Sequence, residues 1–333
     1  MEAYLGVDGG GTKTALCLVD ATGRLLARSI APSTYYLGRA DQPGVELVEQ
    51  VLAEAVPELL AAAGVTPDAV RHAFLGLPGY GEVPADVPAL EAGVGRALGH
   101  GRYRCGNDMV CAWAGSLGGE DGINVIAGTG SMTYGERHGR GVRVGGWSEL
   151  FGDEGSGYWI GRRGLQAFTR MSDGRLARGP LHDVLRSHLG VDDDLEVIDL
   201  ALNRWADRRR AVAALSVPVA QAARAGDTAA RQILHDAAEE LVALVATTHR
   251  RLGFARDEVA AVSYSGGVFA VPDVLEAFRT GLRREVPAAD LRTPLLPPVL
   301  GAALVAASAA GEPLDAEAIG RLVDATEATG SPA

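Results

Sequence analysis

Lysine is all but missing from this chain of 333 residues: Lys13 is the only one, and every other fixed positive side chain is an arginine. Positive charge is scarce as a whole, and the formal net charge is −11. That excludes a general nucleic-acid or membrane-surface binder, because both surfaces attract basic proteins. It leaves room for an anionic ligand, since glycine-rich loops and metal ions supply positive field locally. Cysteine is scarce too. Cys17, Cys105 and Cys111 are odd in number and scattered, which excludes a disulfide framework and fits reduced thiols in the cytoplasm. Aromatic residues make up only 5% of a chain that is 47% hydrophobic, so the core must be built from Ala, Val and Leu. No apolar run is long enough to span a bilayer: the stretch from Leu295 to Ala310 is short and broken by Pro297 and Pro298. The opening MEAYLGVDGG lacks a basic region followed by an apolar stretch, so no signal peptide is expected. Two phosphate fingerprints are missing as well. GxxxxGK(S/T) requires Gly before Lys, but Thr12 precedes Lys13; GxGxxG requires a glycine where Thr14 stands.

Glycine, by contrast, is abundant at 44 residues, so tight turns and close backbone approaches should be frequent. Short strands are expected at Tyr4–Asp8, Thr14–Val19 and Leu25–Ile30, the first pair joined by a glycine run and the second by Asp20-Ala-Thr-Gly23. Residues 43–64 space Val45, Val48, Leu52, Ala55 and Leu59 as a helix. A strand at 72–77, a helix at 89–98 and a strand at 102–107 complete a βββαβα order, three antiparallel strands feeding a parallel extension, as in ribonuclease-H-like domains. The pattern then partly repeats. Strand, Gly-Thr tip, strand recurs at 123–137, with a third strand at 141–147. A largely helical stretch runs to residue 252, followed by a strand at 259–267 and an Ala-rich helix ending near 307. Residues after 311 are polar, and the last few are expected to fray. The expected division is 1–117 and 118–333, with the helix at about 297–310 packing back on the first domain.

The two Gly-Thr tips are the informative feature. Gly9, Gly10, Gly11 and Thr12 form one; Gly128, Thr129, Gly130 and Ser131 form the other. Glycine lets backbone N–H groups approach an anion, and hydroxyls add donors. Two such tips in equivalent places of two similar units could clamp a polyphosphate, whereas a single tip is as readily an ordinary hairpin turn. Asp8, just before the first tip, is suited to hold Mg²⁺ beside phosphates or simply to cap a turn. Lys13 offers a point charge near the same phosphates, or is a chance survivor. Asn107-Asp108 ends a strand immediately before a helix. Asp108 there can accept a proton from a substrate hydroxyl, or serve as a helix N-cap. The segment 145–161 gathers Trp147, Glu149, Asp153 and Glu154 among glycines. Carboxylates and an indole suit a sugar, while a helix starting with Asp153 as its N-cap explains the same residues.

The stretches VDGGGTKT, ND before a helix, AGTGS, GGW, GDEGSGYWIG and YSGG, in this order over essentially the whole chain, resemble the N-acetylglucosamine kinases of the actin-like ATPase superfamily, in the group that includes the BadF-type ATPases. The resemblance implies an α/β fold of two ribonuclease-H-like domains closing around a central cleft. It implies phosphorylation by ATP of the 6-hydroxyl of an N-acetylhexosamine, with Mg²⁺, in a cytoplasmic homodimer that binds a small amino sugar and neither nucleic acid nor membrane. By motif match it makes Asp108 the catalytic base and Asp8 the residue that organises the metal. Gly10, Gly11, Thr12 and Lys13, with Gly128, Thr129 and Gly130, fall at the phosphates. Ala214, Gly266 and Gly267 fall near the nucleotide. Asn107, Asp108, Thr129, Gly145, Gly146, Trp147 and Asp153 fall at the sugar. One loop departs from the family: APSTYYLG puts Tyr35 where Asn is frequent, so glucosamine or another amino sugar becomes an alternative substrate. Two readings of other classes remain open. One is an activase coupling ATP hydrolysis to electron transfer through an iron–sulfur cluster, which needs cysteine ligands. The other is a non-catalytic sugar-binding module on the same fold.

Overall fold

The computed structural model describes residues 2–37 and 44–328. The chain divides into two compact units: residues up to Asp121 together with those from Thr293 on, and Gly122–Arg292. The division falls a few residues beyond the expected 117/118, after α3 has ended and where β6 begins.

In the first unit, β1 (Ala3–Gly9), β2 (Lys13–Val19) and β3 (Leu25–Pro32) form an antiparallel meander; β4 (Val70–Leu77) and β5 (Tyr103–Asn107) extend it in parallel. The sheet order is β3-β2-β1-β4-β5. α1 (Glu46–Ala63) and α2 (Val87–Leu98) supply apolar faces to the core, α1 through Val48, Val51, Leu52, Ala55, Val56, Leu59 and Leu60. The expected helix covers 43–64; Pro43 lies outside the described residues. α3 (Met109–Leu117) is buried along nearly its whole length.

The second unit repeats the plan with β6 (Gly122–Ala127), β7 (Ser131–Arg137), β8 (Arg140–Gly145), β9 (Ala260–Ser265) and β10 (Ala289–Leu291), ordered β10-β9-β6-β7-β8. Between β8 and β9 lie α4 (Gly157–Ser172), α5 (Pro180–Leu189), α6 (Glu196–Asp199), α7 (Arg208–Ala214), α8 (Ser216–Arg224) and α9 (Thr228–Leu252); α10 (Pro272–Glu285) precedes β10. Asp227, almost fully buried, serves two helix starts: it accepts from Ala230 N at 2.9 Å at the N-terminus of α9 and from Leu181 N at 2.8 Å in α5. Orphan N–H groups at a helix start need such partners.

The chain closes with α11 (Pro298–Ala309) and α12 (Ala316–Ala328), both in the first unit. α11 lies so close to β1 that a Cβ on Gly6 would stand 2.6 Å from Val299 O and Ala303 N. This is why the stretch is rich in Gly and Ala: larger side chains would lift the helix off the sheet. Burying Val299, Leu300 and Leu304 contributes about 1.5–3 kcal/mol each relative to exposure. Two elements depart from expectation. The polar run after 311 contains α12, held by Ala318 and Leu322 at 1% and 0% exposure, while residues 329–333 lie outside the description. β10, only three residues long, carries too short a pattern to read. No helix among the described residues is long and apolar enough to cross a membrane.

Candidate functional site

In the first unit, sheet register brings the chemistry to one edge. Asp8 pairs with Gly76 across the parallel β1–β4 ladder, and Gly76 pairs with Gly106 across β4–β5. The C-terminal ends of three adjacent strands therefore present Asp8, Gly76 and, one and two residues beyond Gly106, Asn107 and Asp108. A Cβ on Gly76 would approach Asp108 Cα to 3.1 Å. The strand between the two carboxylates thus has to be without a side chain here. Burial and the neighbouring Asp108 carboxylate push Asp8 up to about 8, against the opposing pull of Lys13. Like charges this near disfavour joint ionisation.

Asp108 occupies the N-cap position of α3, yet its side chain makes no capping bond. Asn107 caps instead: its Oδ1 accepts from Met109 N at 3.2 Å, while its Nδ2 donates to Tyr80 O at 3.3 Å. The helix-cap reading of Asp108 is thereby corrected. Asn107, nearly buried, holds the turn, and the half-buried Asp108 takes no part in capping it.

The first glycine tip is closed by Gly10 N donating to Lys13 O at 2.8 Å. Ser33 Oγ donates to Gly10 O at 2.7 Å and accepts from Tyr35 N at 3.1 Å, tying the departing loop, and Tyr35 with it, to the tip. In a trans peptide, C=O and the following N–H point oppositely, so the Gly11 N–H is turned away from Ser33. Gly11, Thr12 and Lys13 are exposed.

The second tip is held more heavily. Gly157 N and Tyr158 N, at the start of α4, donate to Gly128 O at 2.8 Å and Thr129 O at 3.2 Å. By the same peptide geometry, the N–H groups of Thr129 and Gly130 point away from α4, forming an anion-receptive pair. Ser156, not Asp153, caps α4, accepting from Trp159 N at 3.1 Å. Asp153 is 2% exposed with left-handed backbone (φ 57°). Its Oδ1 accepts from Ser131 N at 3.4 Å and its Oδ2 from Arg209 Nη2 at 2.7 Å. Burial raises its carboxyl above the ordinary value, and Arg209 opposes that rise. Arg209 Nε also lies 3.1 Å from Glu149 Oε2.

Gly146 N donates to Ser131 O at 3.0 Å, joining the 145–153 loop to β7, and Arg143 donates to the carbonyls of both Gly145 and Gly146. Trp147 is exposed, with Leu150 and Phe151 beside it in sequence equally so. Gly266 packs against Ala127 and Gly128 at the foot of the second tip, while a Cβ on Gly267 would meet only open space. Ala214 is exposed at the end of α7. Asp8, Gly10–Lys13, Tyr35, Asn107 and Asp108 therefore belong to the first unit; Gly128–Gly130, Gly145–Trp147, Asp153, Ala214, Gly266 and Gly267 belong to the second. Sequence reasoning missed Arg209, one of three consecutive arginines with no motif to single it out, and Ser33, an ordinary loop serine by pattern.

The three cysteines are buried. Cys17 and Cys111 donate to backbone carbonyls at 3.1 and 3.6 Å, and burial pushes all three thiols up. Thiols held protonated are poor cluster ligands.

An N-acetyl-D-glucosamine kinase of Dictyostelium discoideum is 29% identical over 316 residues, covering 92% of this chain and 98% of its own. An N-acetylmuramic acid/N-acetylglucosamine kinase of Clostridium acetobutylicum is 28% identical over 311 residues, covering 92% and 99%. A solved structure of a candidate N-acetylglucosamine kinase from Chromobacterium violaceum is 26% identical with a TM-score of 0.73, over 92% of this chain and 99% of that one. The BadF/BadG/BcrA/BcrD ATPase family matches residues 5–306, from within β1 to within α11 and through both glycine tips and both carboxylate strand ends, and this chain belongs to that family.

Proposed function

We propose that this protein is an ATP-dependent kinase that phosphorylates the 6-hydroxyl of an amino sugar, N-acetylglucosamine first among them. The observation that carries the reading is Asp108: a carboxylate just past the C-terminal end of β5, the edge strand of its sheet and not the central one the pattern suggests, where Asn107 supplies the helix cap and a second carboxylate, Asp8, lies close by. The names of the two full-length relatives point the same way. The three cysteines are scattered along the chain and buried, with no cluster motif around them, which favours this reading over the electron-transfer activase.

In the reaction, Asp108 takes the proton from the sugar hydroxyl as that oxygen bonds to the γ-phosphorus and the bridging P–O bond to ADP breaks. A positioned base of this kind contributes roughly 10²–10⁴-fold. The outward N–H groups of Thr129 and Gly130, and that of Gly11, receive phosphate oxygens, with Lys13 as a nearby point charge. Phosphoryl transfer depends chiefly on such positioning and charge neutralisation. Asp8 is the residue to hold Mg²⁺: it is an oxygen donor, and a cation offsets the burial and the neighbouring Asp108 charge that raise its pKa. When bound, the ion neutralises phosphate charge. Gly145, Gly146 and Trp147 carry the sugar side, with the buried Asp153 supporting their loop from beneath, and Ala214, Gly266 and Gly267 carry the nucleoside side.

Tyr35 sets the choice among amino sugars, because its loop is where this chain departs from the family's frequent Asn, and Ser33 ties that loop to the first tip. The test is a panel of hexoses, amino sugars and N-acetylated amino sugars with Mg·ATP, read by coupled ADP release. The expected result is sugar-dependent ADP release strongest with N-acetylglucosamine. Tyr35→Asn should shift its kcat/KM ratio over glucosamine by at least about tenfold. Equal ADP release with and without every sugar would sink the kinase reading.

A further inference from the structure

The second tip, the 145–153 loop and α7 meet at one guanidinium. Arg209 Nη2 holds Asp153 Oδ2 at 2.7 Å and Arg209 Nε lies 3.1 Å from Glu149 Oε2. Directly above that pair sits the tip: a Cβ on Gly130 would stand 2.7 Å from Asp153 Oδ2 and 2.8 Å from Arg209 Nη2. The next tip residue, Ser131, gives its N–H to Asp153 Oδ1 and its hydroxyl to Glu154 O at 2.6 Å. Asp153 does this from a left-handed backbone, a conformation that persists when its surroundings over-determine it. We infer that Arg209 is the positioning residue of the second tip: by gripping Asp153 and Glu149 together it fixes the Gly128–Gly130 backbone relative to the 145–153 loop.

The route of action is electrostatic, through Asp153. A buried carboxylate stays ionised only while its counter-charge is there; without it the group protonates or leaves its pocket. The charged groups at Asp153 are Arg209 from α7, which favours the carboxylate, and Glu149 from the loop, which disfavours it. Glutamine at 209 leaves Glu149 and burial unopposed, so Asp153 accepts a proton at higher pH. The neutral carboxyl no longer attracts Ser131 N as strongly, and the tip loosens.

Two arms test this, and only the first rests on the kinase reading. In the activity arm, Arg209→Gln at pH 8 should lower kcat/KM for ATP at least tenfold. Arg209→Lys, which restores the charge to Asp153 but not the planar fork that spans to Glu149, should recover part of that loss. In the melting arm, without ligands, Arg209→Gln should melt at least about 3 °C below the parent at pH 8. The sign follows from linkage. Asp153 has a folded pKa raised above its unfolded one, and further raised in the variant, so the variant's deficit is full above that pKa and shrinks as pH falls through it. The gap should be smaller at pH 5 than at pH 8. A gap of equal size at both pH values, or a kcat/KM within twofold of the parent, overturns the inference. Should Arg209→Gln fail to fold, Arg209→Lys decides: parent-like melting with lowered kcat/KM supports it, and parent-like values of both overturn it. A parent inactive on every amino sugar would sink the kinase reading and leave the melting arm to judge Arg209.

Discussion

The two glycine tips stand at the same place in the same strand order, yet they are supported in opposite ways. The first has exposed residues Gly11, Thr12 and Lys13, one serine tie at Gly10, and ionisable neighbours in Lys13, Asp8 and Asp108. The second is backed by the N-terminus of α4 and underlain by the Asp153–Arg209 pair. One repeated hairpin thus stands in two settings: the first largely exposed beside a carboxylate pair, the second over a buried ion pair and against a helix start.

The comparison breaks most sharply at Asp108. Replacing it with Asn should lower kcat by roughly 10²–10⁴-fold while sugar affinity, measured by calorimetry, stays within a few-fold. Retention of more than about a third of the activity would remove the base from the charged tip's neighbourhood. Gly130→Ala and Gly11→Ala sharpen the contrast. The first drives a Cβ into Asp153 and Arg209 and should raise KM for ATP about tenfold or more; the second meets nothing within 4 Å and should change it less than about threefold. Equal effects at both tips would mean that the second is not the tightly backed one. The smallest effect is on stability. Folded Asp8 is held up near 8 while the unfolded chain titrates at the ordinary value. The folded state therefore binds the extra proton between those values, and this group's contribution falls as pH rises through the window, levelling off above 8. Asp8→Asn should accordingly raise the ligand-free melting temperature by about 3 °C at pH 8, with the gain fading toward pH 4. A lowered melting temperature at pH 8 would contradict the crowded-carboxylate picture.

Much of this was legible in the sequence because it is written in local pattern. The strand–tip–strand hairpins announce themselves by alternation ending in glycine, and Asp108 by its place between strand and helix. What was hidden depends on partners distant in sequence. Asn107 and Asp108 are adjacent and chemically alike, and only the turn geometry shows that the amide caps while the acid does not. Arg209 is indistinguishable from Arg208 and Arg210 in the chain; its partners lie some 56 and 60 residues back, a distance set by the fold alone. Asp153 reads as a sugar-facing carboxylate or a helix N-cap, because proline-free, glycine-rich loops give no sign that a carboxylate within them will be buried. α12 was hidden for a simpler reason: a polar helix with few buried anchors looks like a tail.

The most direct test of the account identifies the product. Parent protein, Mg·ATP and N-acetylglucosamine, followed by phosphorus and proton NMR, should give one sugar product phosphorylated at the 6-oxygen, in equal amount to the ADP formed and lost in Asp108→Asn. ADP formed without any phosphorylated sugar, or a phosphate at a different ring position, would contradict it.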